Sequence, residues 1–227
     1  MSEPYPSEQH VSEQQGSEGQ VSEQRGSERT EHYFTGRPAG YGERRPLEVR
    51  LADRQVTVET AGGIFSPGGL DKATAVLLET VPPPPPTGTL LDLGCGWGPL
   101  ALTLGLTSPE ADVWAVDVNE RALDLTRRNA AALGCDRVRA VRPEDGPEAP
   151  LDLIWSNPPI RVGKAAVHAI LATWLPRLAP TGEAWLVVGK NLGADSLARW
   201  TTDELGLVVT REASKKGFRV LRVTRQS

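Results

Sequence analysis

An asparagine and two prolines follow an apolar segment in the second half of the chain, and this combination can hold an amino group. The segment from Asp152 to Ser156 continues directly into Asn157, Pro158 and Pro159. Because proline has no backbone N–H, the loop presents mainly acceptors, namely the side-chain oxygen of Asn157 and the carbonyl oxygen of Pro158. Two such acceptors can hold both hydrogens of a planar NH2 group and favour the pyramidal geometry in which its lone pair is nucleophilic. We therefore predict Asn157 and Pro158 to be catalytic; the alternative is an asparagine turn stiffened by prolines.

A glycine-rich stretch follows the predicted strand that ends at Leu93. Its glycines, Gly94, Gly96 and Gly98, have the spacing Gly-x-Gly-x-Gly. The dinucleotide fingerprint requires Gly-x-Gly-x-x-Gly, and Pro99 stands where its third glycine belongs. The turn therefore favours a nucleoside ligand other than a dinucleotide, bound at the carboxyl end of a strand.

A carboxylate follows the next predicted strand. Asp117 lies 19 residues after Gly98, where its two oxygens can accept hydrogen bonds from both hydroxyls of a ribose. The alternative for Asp117 is the cap of the following helix, a role that Asn119 fits better.

The elements before these motifs form a layer of their own. Alternating apolar and polar residues from Pro46 to Thr60 predict a β-hairpin. A flexible loop at 62–69 then leads into an amphipathic helix from about Asp71 to Thr80, which Asp71 can cap. The prolines from Pro82 to Pro86 must be extended and predict a short stiff spacer.

Strand-like and helix-like segments alternate beyond the spacer, which predicts a parallel sheet covered by helices on both faces. The last two strands, at 207–210 and 218–223, are separated only by Arg211 to Gly217. A connection that short permits a hairpin but no parallel crossover. The predicted fold is α/β, a mostly parallel seven-stranded sheet with an antiparallel C-terminal strand, preceded by the hairpin layer. Its other strands are predicted at 89–93, 112–116, 137–141, 151–156 and 183–188, and its helices at 99–106, 120–133, 164–178 and 194–205.

Composition divides the chain into three parts. Residues 1–31 repeat Ser-Glu every five residues, with too few apolar side chains to offset the entropy of ordering, so they are predicted to be a disordered tail. Residues 32–81 form the hairpin and helix layer, and residues 82–227 the catalytic domain. The tail contains seven Glu and two Arg, a charge of −5, and the whole chain has −4, so the remaining residues are near neutral and their charge indicates no partner.

The cysteines and apolar runs indicate where the protein acts. Cys95 and Cys135 are the only cysteines, and their surroundings suit free thiols in a reducing compartment. They supply no metal-site spacing. No apolar run approaches the roughly 20 residues that cross a bilayer, so we expect a cytoplasmic protein without a membrane segment.

The chain from Gly63 to Arg225 resembles the small-domain class I methyltransferases related to ribosomal RNA small subunit methyltransferase C, which include single-domain bacterial and archaeal relatives. The resemblance rests on Gly-Ile-Phe-Ser-Pro-Gly-Gly-Leu-Asp (63–71), Asp-Leu-Gly-Cys-Gly-Trp-Gly-Pro (92–99), Ser-Asn-Pro-Pro-Ile-Arg-Val-Gly-Lys (156–164) and Lys-Lys-Gly-Phe-Arg-Val-Leu (215–221). It implies a Rossmann-like fold and S-adenosylmethionine as cofactor. The cofactor contacts that we expect are Asp92, Gly94, Cys95, Gly96, Asp117, Val118, Asp145 and Asn157, with Asp145 as the substitute for the acidic or amide residue that usually meets the adenine.

The same resemblance implies methylation of the N2 amino group of a guanine in 16S ribosomal RNA, with ribosomal RNA or the small ribosomal subunit as partner. The substrate contacts that we expect are Phe65, Pro159, Arg161 and Lys164. The alternative for Phe65 is a core aromatic of the hairpin layer. The alternatives for the function are methylation of a protein glutamine amide or a small-molecule amine, which present the same NH2 geometry, and a non-enzymatic adenosyl-binding module.

Overall fold

The computed structural model describes residues 44–159 and 162–226 of the chain. Two sheets are present in this part: a two-stranded sheet and a seven-stranded sheet with the order β5-β4-β3-β6-β7-β9-β8. The strands are β1 (Arg44–Leu51), β2 (Arg54–Ala61), β3 (Thr89–Leu93), β4 (Asp112–Val116), β5 (Val138–Val141), β6 (Leu151–Ser156), β7 (Leu178–Gly189), β8 (Val208–Lys215) and β9 (Phe218–Thr224). The helices are α1 (Lys72–Leu78), α2 (Pro99–Thr107), α3 (Glu120–Ala132), α4 (Lys164–Trp174) and α5 (Ala194–Leu205).

The predicted fold class is confirmed. β3 to β7 pair in parallel, and β9 pairs antiparallel with both β7 and β8. None of the helices in the described ranges is long and apolar enough to cross a membrane. The predicted tail at 1–31 and the first part of the predicted layer lie outside the described residues, as does Arg161, so the division into domains stays a prediction.

Period-two alternation along the central strands divides the core between the two faces of the sheet. Leu90 and Trp155 pack on one face with apolar residues of α1 and α2, whereas Leu91 and Ile154 pack on the other with residues of α4 and α5. Both faces of these strands are covered, which is why their sequences are almost continuously apolar.

Two predicted boundaries are wrong for identifiable reasons. The helix expected to reach Leu178 ends at Trp174 and continues as a short 3-10 turn at 175–177, since Pro176 cannot donate a helical hydrogen bond. The loop expected between Arg211 and Gly217 is mostly strand, because β8 continues to Lys215 and leaves a turn of only Lys216 and Gly217.

A buried asparagine joins the hairpin to the main sheet. The Asn129 side-chain oxygen accepts from the Glu59 N–H at 2.7 Å, and its Nδ2 donates to the carbonyls of Glu59 and Trp97 at 3.0 Å each. The amide thus pairs both backbone groups of Glu59, as a neighbouring strand would, and also bonds the glycine-rich turn. Val58 and Leu51 of the hairpin pack beside this contact against Trp97.

Replacing Asn129 with alanine should lower the free energy of unfolding by about 2–4 kcal/mol, because the variant leaves the part-buried N–H and carbonyl of Glu59 and the buried carbonyl of Trp97 without this partner. Urea denaturation followed by circular dichroism measures the change. Asn191→Ala, which truncates an exposed amide, is the matched control and should change stability by less than about 0.5 kcal/mol. Equal stability of the two variants would contradict the anchoring role.

Candidate active site

Three loops meet at one edge of the seven-stranded sheet. β4, β3 and β6 are adjacent and parallel, so the glycine-rich turn after β3, Asp117 after β4 and Asn157 after β6 lie at the same carboxyl edge. The chain proceeds from β3 to β4 on one side and later to β6 on the other. Such a reversal of strand order opens a crevice, and ligands of open α/β sheets bind there.

The glycine-rich turn adopts a backbone that requires glycine. Gly94 and Gly96 have φ angles of +83° and +58°, in the region that side chains disfavour. A Cβ atom added to either residue would meet no other atom within 4 Å. The backbone at these two positions therefore borders open space that a ligand can approach closely.

Asp117 holds this turn in place. Its Oδ2 accepts from the Gly96 N–H at 3.0 Å and its Oδ1 from the Asn119 N–H at 2.8 Å, while burial raises its pKa. Asn119 caps α3 by accepting from the Arg121 N–H at 3.0 Å, as predicted. Backbone hydrogen bonds from Asn119, Gly96 and Val118 act against this rise in pKa; the role of Asp117 toward two ribose hydroxyls stays a prediction.

Asp92 has one carboxylate oxygen without a partner in the described part of the chain. The residue is 1% exposed; its Oδ2 accepts from the Ala101 N–H at 2.9 Å, and its Oδ1 is buried and unpaired. Burial is the main cause that raises the pKa of Asp92 to about 7, and the Asp117 carboxylate adds to it. A buried acceptor left unpaired is costly, so this oxygen is suited to a donor on a cationic ligand.

Asn157 is held by two residues that precede the sheet. Its Nδ2 donates to Asp71 Oδ2 at 2.9 Å and to Thr74 Oγ1 at 3.1 Å. A carboxylate can only accept, so these contacts fix which way the amide points and leave its Oδ1 for another donor. Asp71 also caps α1, as predicted, through the N–H groups of Ala73 and Thr74. Sequence reasoning missed the contact between Asp71 and Asn157, although Leu70-Asp71 ends one of the stretches that carry the family resemblance.

A pocket lies between these loops. Six predicted site residues line it: Phe65, Asp92, Gly94, Cys95, Gly96 and Asn157. Thr74, Trp97, Pro99 and Leu100 complete the lining. Burial holds the pKa of the Cys95 thiol well above its usual value, so Cys95 contributes contact area and no nucleophile.

Phe65 lies on the loop that closes one side of the pocket. Its side chain is 49% exposed, so the alternative of a core aromatic is wrong. The loop is tied to α3, because Arg121 Nη1 donates to the Gly62 carbonyl at 2.5 Å and Asn119 Nδ2 to that of Gly63 at 3.4 Å. The exposed Phe65 ring is therefore carried by a loop that is anchored to α3.

The remaining predicted contacts are not among the residues that line the pocket. Pro158 is buried and Pro159 half-buried directly after Asn157. Asp145 is exposed on a 3-10 turn after β5, and Lys164 is the exposed first residue of α4. The Val118 carbonyl accepts from Arg142 Nη1 at 3.3 Å. Their roles stay predictions. Among the described residues, no group of three or more His, Cys, Asp or Glu could hold a metal ion.

A mostly parallel sheet of this order, with a pocket beside a Gly-x-Gly-x-Gly turn, defines the class of S-adenosylmethionine-dependent methyltransferases with a Rossmann-like fold. The particular family follows from a sequence comparison: the model of the methyltransferase small domain matches residues 55–222, and the chain belongs to this family.

Individual relatives extend the comparison. The chain is 31% identical over 198 residues to the uncharacterized protein YbxB of Bacillus subtilis, covering 85% of this chain and 98% of YbxB. It is 36% identical over 183 residues to ribosomal RNA small subunit methyltransferase C of Pseudomonas entomophila, covering 79% of this chain and 54% of that protein. The chain therefore spans about half the length of this second relative.

A solved structure shares the fold. The 16S rRNA N2 G1207 methyltransferase of T. Thermophilus, solved with AdoMet and guanosine, superposes with a TM-score of 0.68 at 23% identity, over 81% of this chain and 51% of that one. S-adenosylmethionine is the cofactor of the family. The unpaired Oδ1 of Asp92 and the open space beside Gly94 and Gly96 fit a ligand that carries a positive charge and approaches the backbone closely.

The affinity for S-adenosylmethionine should fall as the pH is lowered below 7. Asp92, with its pKa of about 7, is ionised above that pH and attracts a cation, whereas below it the neutral acid does not. The loss should approach about tenfold per pH unit, the limit for one coupled proton. Calorimetric titration between pH 7.5 and 5.5 measures it.

Asp92→Asn is the control, since an amide oxygen can still accept from Ala101 but cannot titrate. Its affinity should be lower than that of the wild type at pH 7.5 and nearly constant over the range. A wild-type affinity that does not change with pH would contradict the assignment of Asp92.

Proposed function

We propose that this chain transfers a methyl group from S-adenosylmethionine to the exocyclic N2 of a guanine in 16S ribosomal RNA. The observation that carries the proposal is the Asn157 amide, which lines the cofactor pocket and has its nitrogen taken by Asp71 and Thr74. Its oxygen is then the group offered to a substrate, and an oxygen selects a donor such as an amino group.

The exocyclic amine of guanine is a weak nucleophile because its lone pair is delocalised into the ring. Asn157 Oδ1 and the Pro158 carbonyl accept its two hydrogens and favour the tetrahedral nitrogen that develops as the new N–C bond forms. When bound, S-adenosylmethionine would supply the methyl group on a sulfonium, from which a neutral thioether leaves readily. The attacking nitrogen becomes cationic and acidic as the N–C bond forms and loses a proton to solvent, so the chain needs no strong base.

Asp71 and Thr74 act on the reaction through Asn157. Their acceptor atoms hold the amide in one orientation, and the negative charge of Asp71 draws the amide hydrogens and increases the electron density on Oδ1. A preorganised acceptor loses nothing to reorientation in the transition state. Asp71 and Thr74 are therefore positioning residues, which makes α1 a part of the active site.

Phe65 supplies a surface for the target base. Its half-exposed ring borders the pocket that Asn157 also lines. A planar base that places its amino group at Asn157 can stack on an aromatic ring, a contact worth about 1–3 kcal/mol per base. A side-chain amide or a small aliphatic amine has no comparable flat face, so Phe65 favours a nucleobase.

The comparisons support the identity of the base. The Pseudomonas entomophila relative is named for methylation of small-subunit ribosomal RNA, and the T. Thermophilus neighbour is an N2 methyltransferase of 16S rRNA solved with guanosine. The decisive experiment is transfer of tritiated methyl from S-adenosylmethionine to small ribosomal subunits, naked 16S RNA and total protein, followed by nucleoside analysis. Recovery of N2-methylguanosine supports the proposal, whereas label only in protein or in small molecules rejects it.

Asn157→Ala should lower kcat by about a hundredfold or more, the effect of losing one preorganised hydrogen bond in a transition state. The affinity for S-adenosylmethionine should change much less, because most of the predicted cofactor contacts lie on the other loops. Single-turnover rates on the substrate identified above and a calorimetric cofactor titration measure the two effects. A folded variant with near-normal kcat would show that Asn157 is only a turn residue.

Asp71→Ser should lower kcat by roughly tenfold to a hundredfold, corresponding to the loss of one orienting hydrogen bond. Serine still caps a helix, but its shorter side chain does not reach Asn157 from the cap position. KM and the melting temperature should stay close to those of the wild type. Asp71→Asn keeps an acceptor for both the cap and Asn157, so it should retain more activity than Asp71→Ser. If both variants turned over like the wild type, Asp71 would be a cap and nothing more.

A further inference from the structure

The Lys215-Lys216-Gly217-Phe218 turn has no part in the methyl transfer described above, yet it lies at the same edge of the sheet as Asn157. β9 runs antiparallel to β7, so its first residue, Phe218, pairs with Gly189 at the carboxyl end of β7. Lys215 pairs with Phe218 from β8. The backbone N–H of Lys190 donates to the Gly217 carbonyl at 2.8 Å, which attaches the turn to the segment that follows β7.

The turn is fixed relative to the active site. Lys216 and Gly217 have φ angles of +51° and +83°, the geometry of a tight two-residue hairpin that follows the twist of its strands. Lys216 Nζ also forms an ion pair with Glu79 Oε1 at 2.9 Å, and this contact lowers the pKa of Glu79. Glu79 is the C-cap of α1, the helix that holds Asn157 at its other end.

Several exposed lysines at this edge have no ion-pair partner among the described residues. Lys72 is the first residue of α1, Lys190 follows β7, and Lys215 ends β8. Lys164, already expected to contact the substrate, begins α4. All of them stand where an element begins or ends at the carboxyl edge.

The nearby carboxylates do not cancel these charges. Glu79 is paired with Lys216 and Asp195 with Arg219, so Asp71, which caps α1 and binds Asn157, is the one carboxylate of these three without a cationic partner. The part of the edge that follows β6, β7 and β8 therefore presents net positive charge around the pocket. Lysine ammonium groups are compact, mobile point charges, which suit phosphates and carry no sequence preference.

We propose that Lys72, Lys190 and Lys215 bind the phosphates of the RNA strand on either side of the target base. The proposal rests on the proposed function and adds to it the surface that positions the RNA. It predicts that the enzyme acts on a polynucleotide far better than on the free nucleoside, because the lysines contact neighbouring phosphates.

The experiment compares wild-type protein with the triple variant Lys72→Gln, Lys190→Gln and Lys215→Gln. The control variant, Arg54→Gln with Arg199→Gln, removes exposed cations that lie at the start of β2 and within α5, away from the carboxyl edge. Filter binding of a 16S RNA transcript is measured at several KCl concentrations, with KM for that RNA, the cofactor affinity and the melting temperature.

The triple variant should bind the RNA at least about tenfold more weakly at 0.1 M KCl, and the slope of log K against log salt should decrease by about 2, since each phosphate contact on a single strand contributes about 0.7. KM for RNA should rise, while cofactor affinity and melting temperature stay those of the wild type and the control. If the triple variant kept the RNA affinity and the salt slope of the wild type, the proposed RNA-binding surface would be rejected, while the proposed function would stand. Absence of methyl transfer to RNA by the wild type would reject the function itself, and the surface with it.

Discussion

The active site depends on the parallel pairing of β4, β3 and β6, because this pairing alone brings loops from distant parts of the sequence to one edge. The turn after β3 is then bonded to the next strand: the N–H groups of Gly94 and Cys95 donate to the Val116 carbonyl at 2.8 and 3.1 Å, and Gly96 donates to Asp117. A glycine backbone left free would sample many conformations. These bonds select one of them and leave open space where a ligand can reach the main chain.

The segment before the main sheet completes the site and does not merely cover it. Asn129 pairs the hairpin with α3, Arg121 and Asn119 hold the loop that carries Phe65, and Asp71 reaches Asn157. Each contact uses a side chain to bond groups more than fifty residues away in sequence. The pocket wall formed by Phe65 and the orientation of Asn157 are therefore coupled to the same N-terminal layer.

The sequence predicted the elements whose pattern is local. The bounds of β3, β4 and β6 follow from short apolar runs, and the observed bounds of these strands and of α5 agree with those expected. The chemistry of the site was predicted less completely, because a motif identifies a side chain but not its partner. Asp71 was recognised as a helix cap, yet its bond to Asn157, 86 residues away, depends on how α1 packs on the sheet. The unpaired oxygen and the raised pKa of Asp92 likewise follow from its burial, and the sequence alone does not show how deeply this side chain is buried.

Charge is divided within the site in a way that separates its two proposed ligands. Asp92 and Asp117 place negative charge beneath the glycine-rich turn, and burial strengthens their field because little water screens it. The lysines stand outside, at the ends of α1, β7 and β8, where solvent weakens their field to a surface attraction. The pocket thus favours a cationic cofactor and repels a phosphate. The exposed lysines around the pocket attract phosphates and repel cations. In the proposed reaction, an RNA strand held by the lysines would therefore deliver an uncharged group to the pocket, and the base is the uncharged part of a nucleotide.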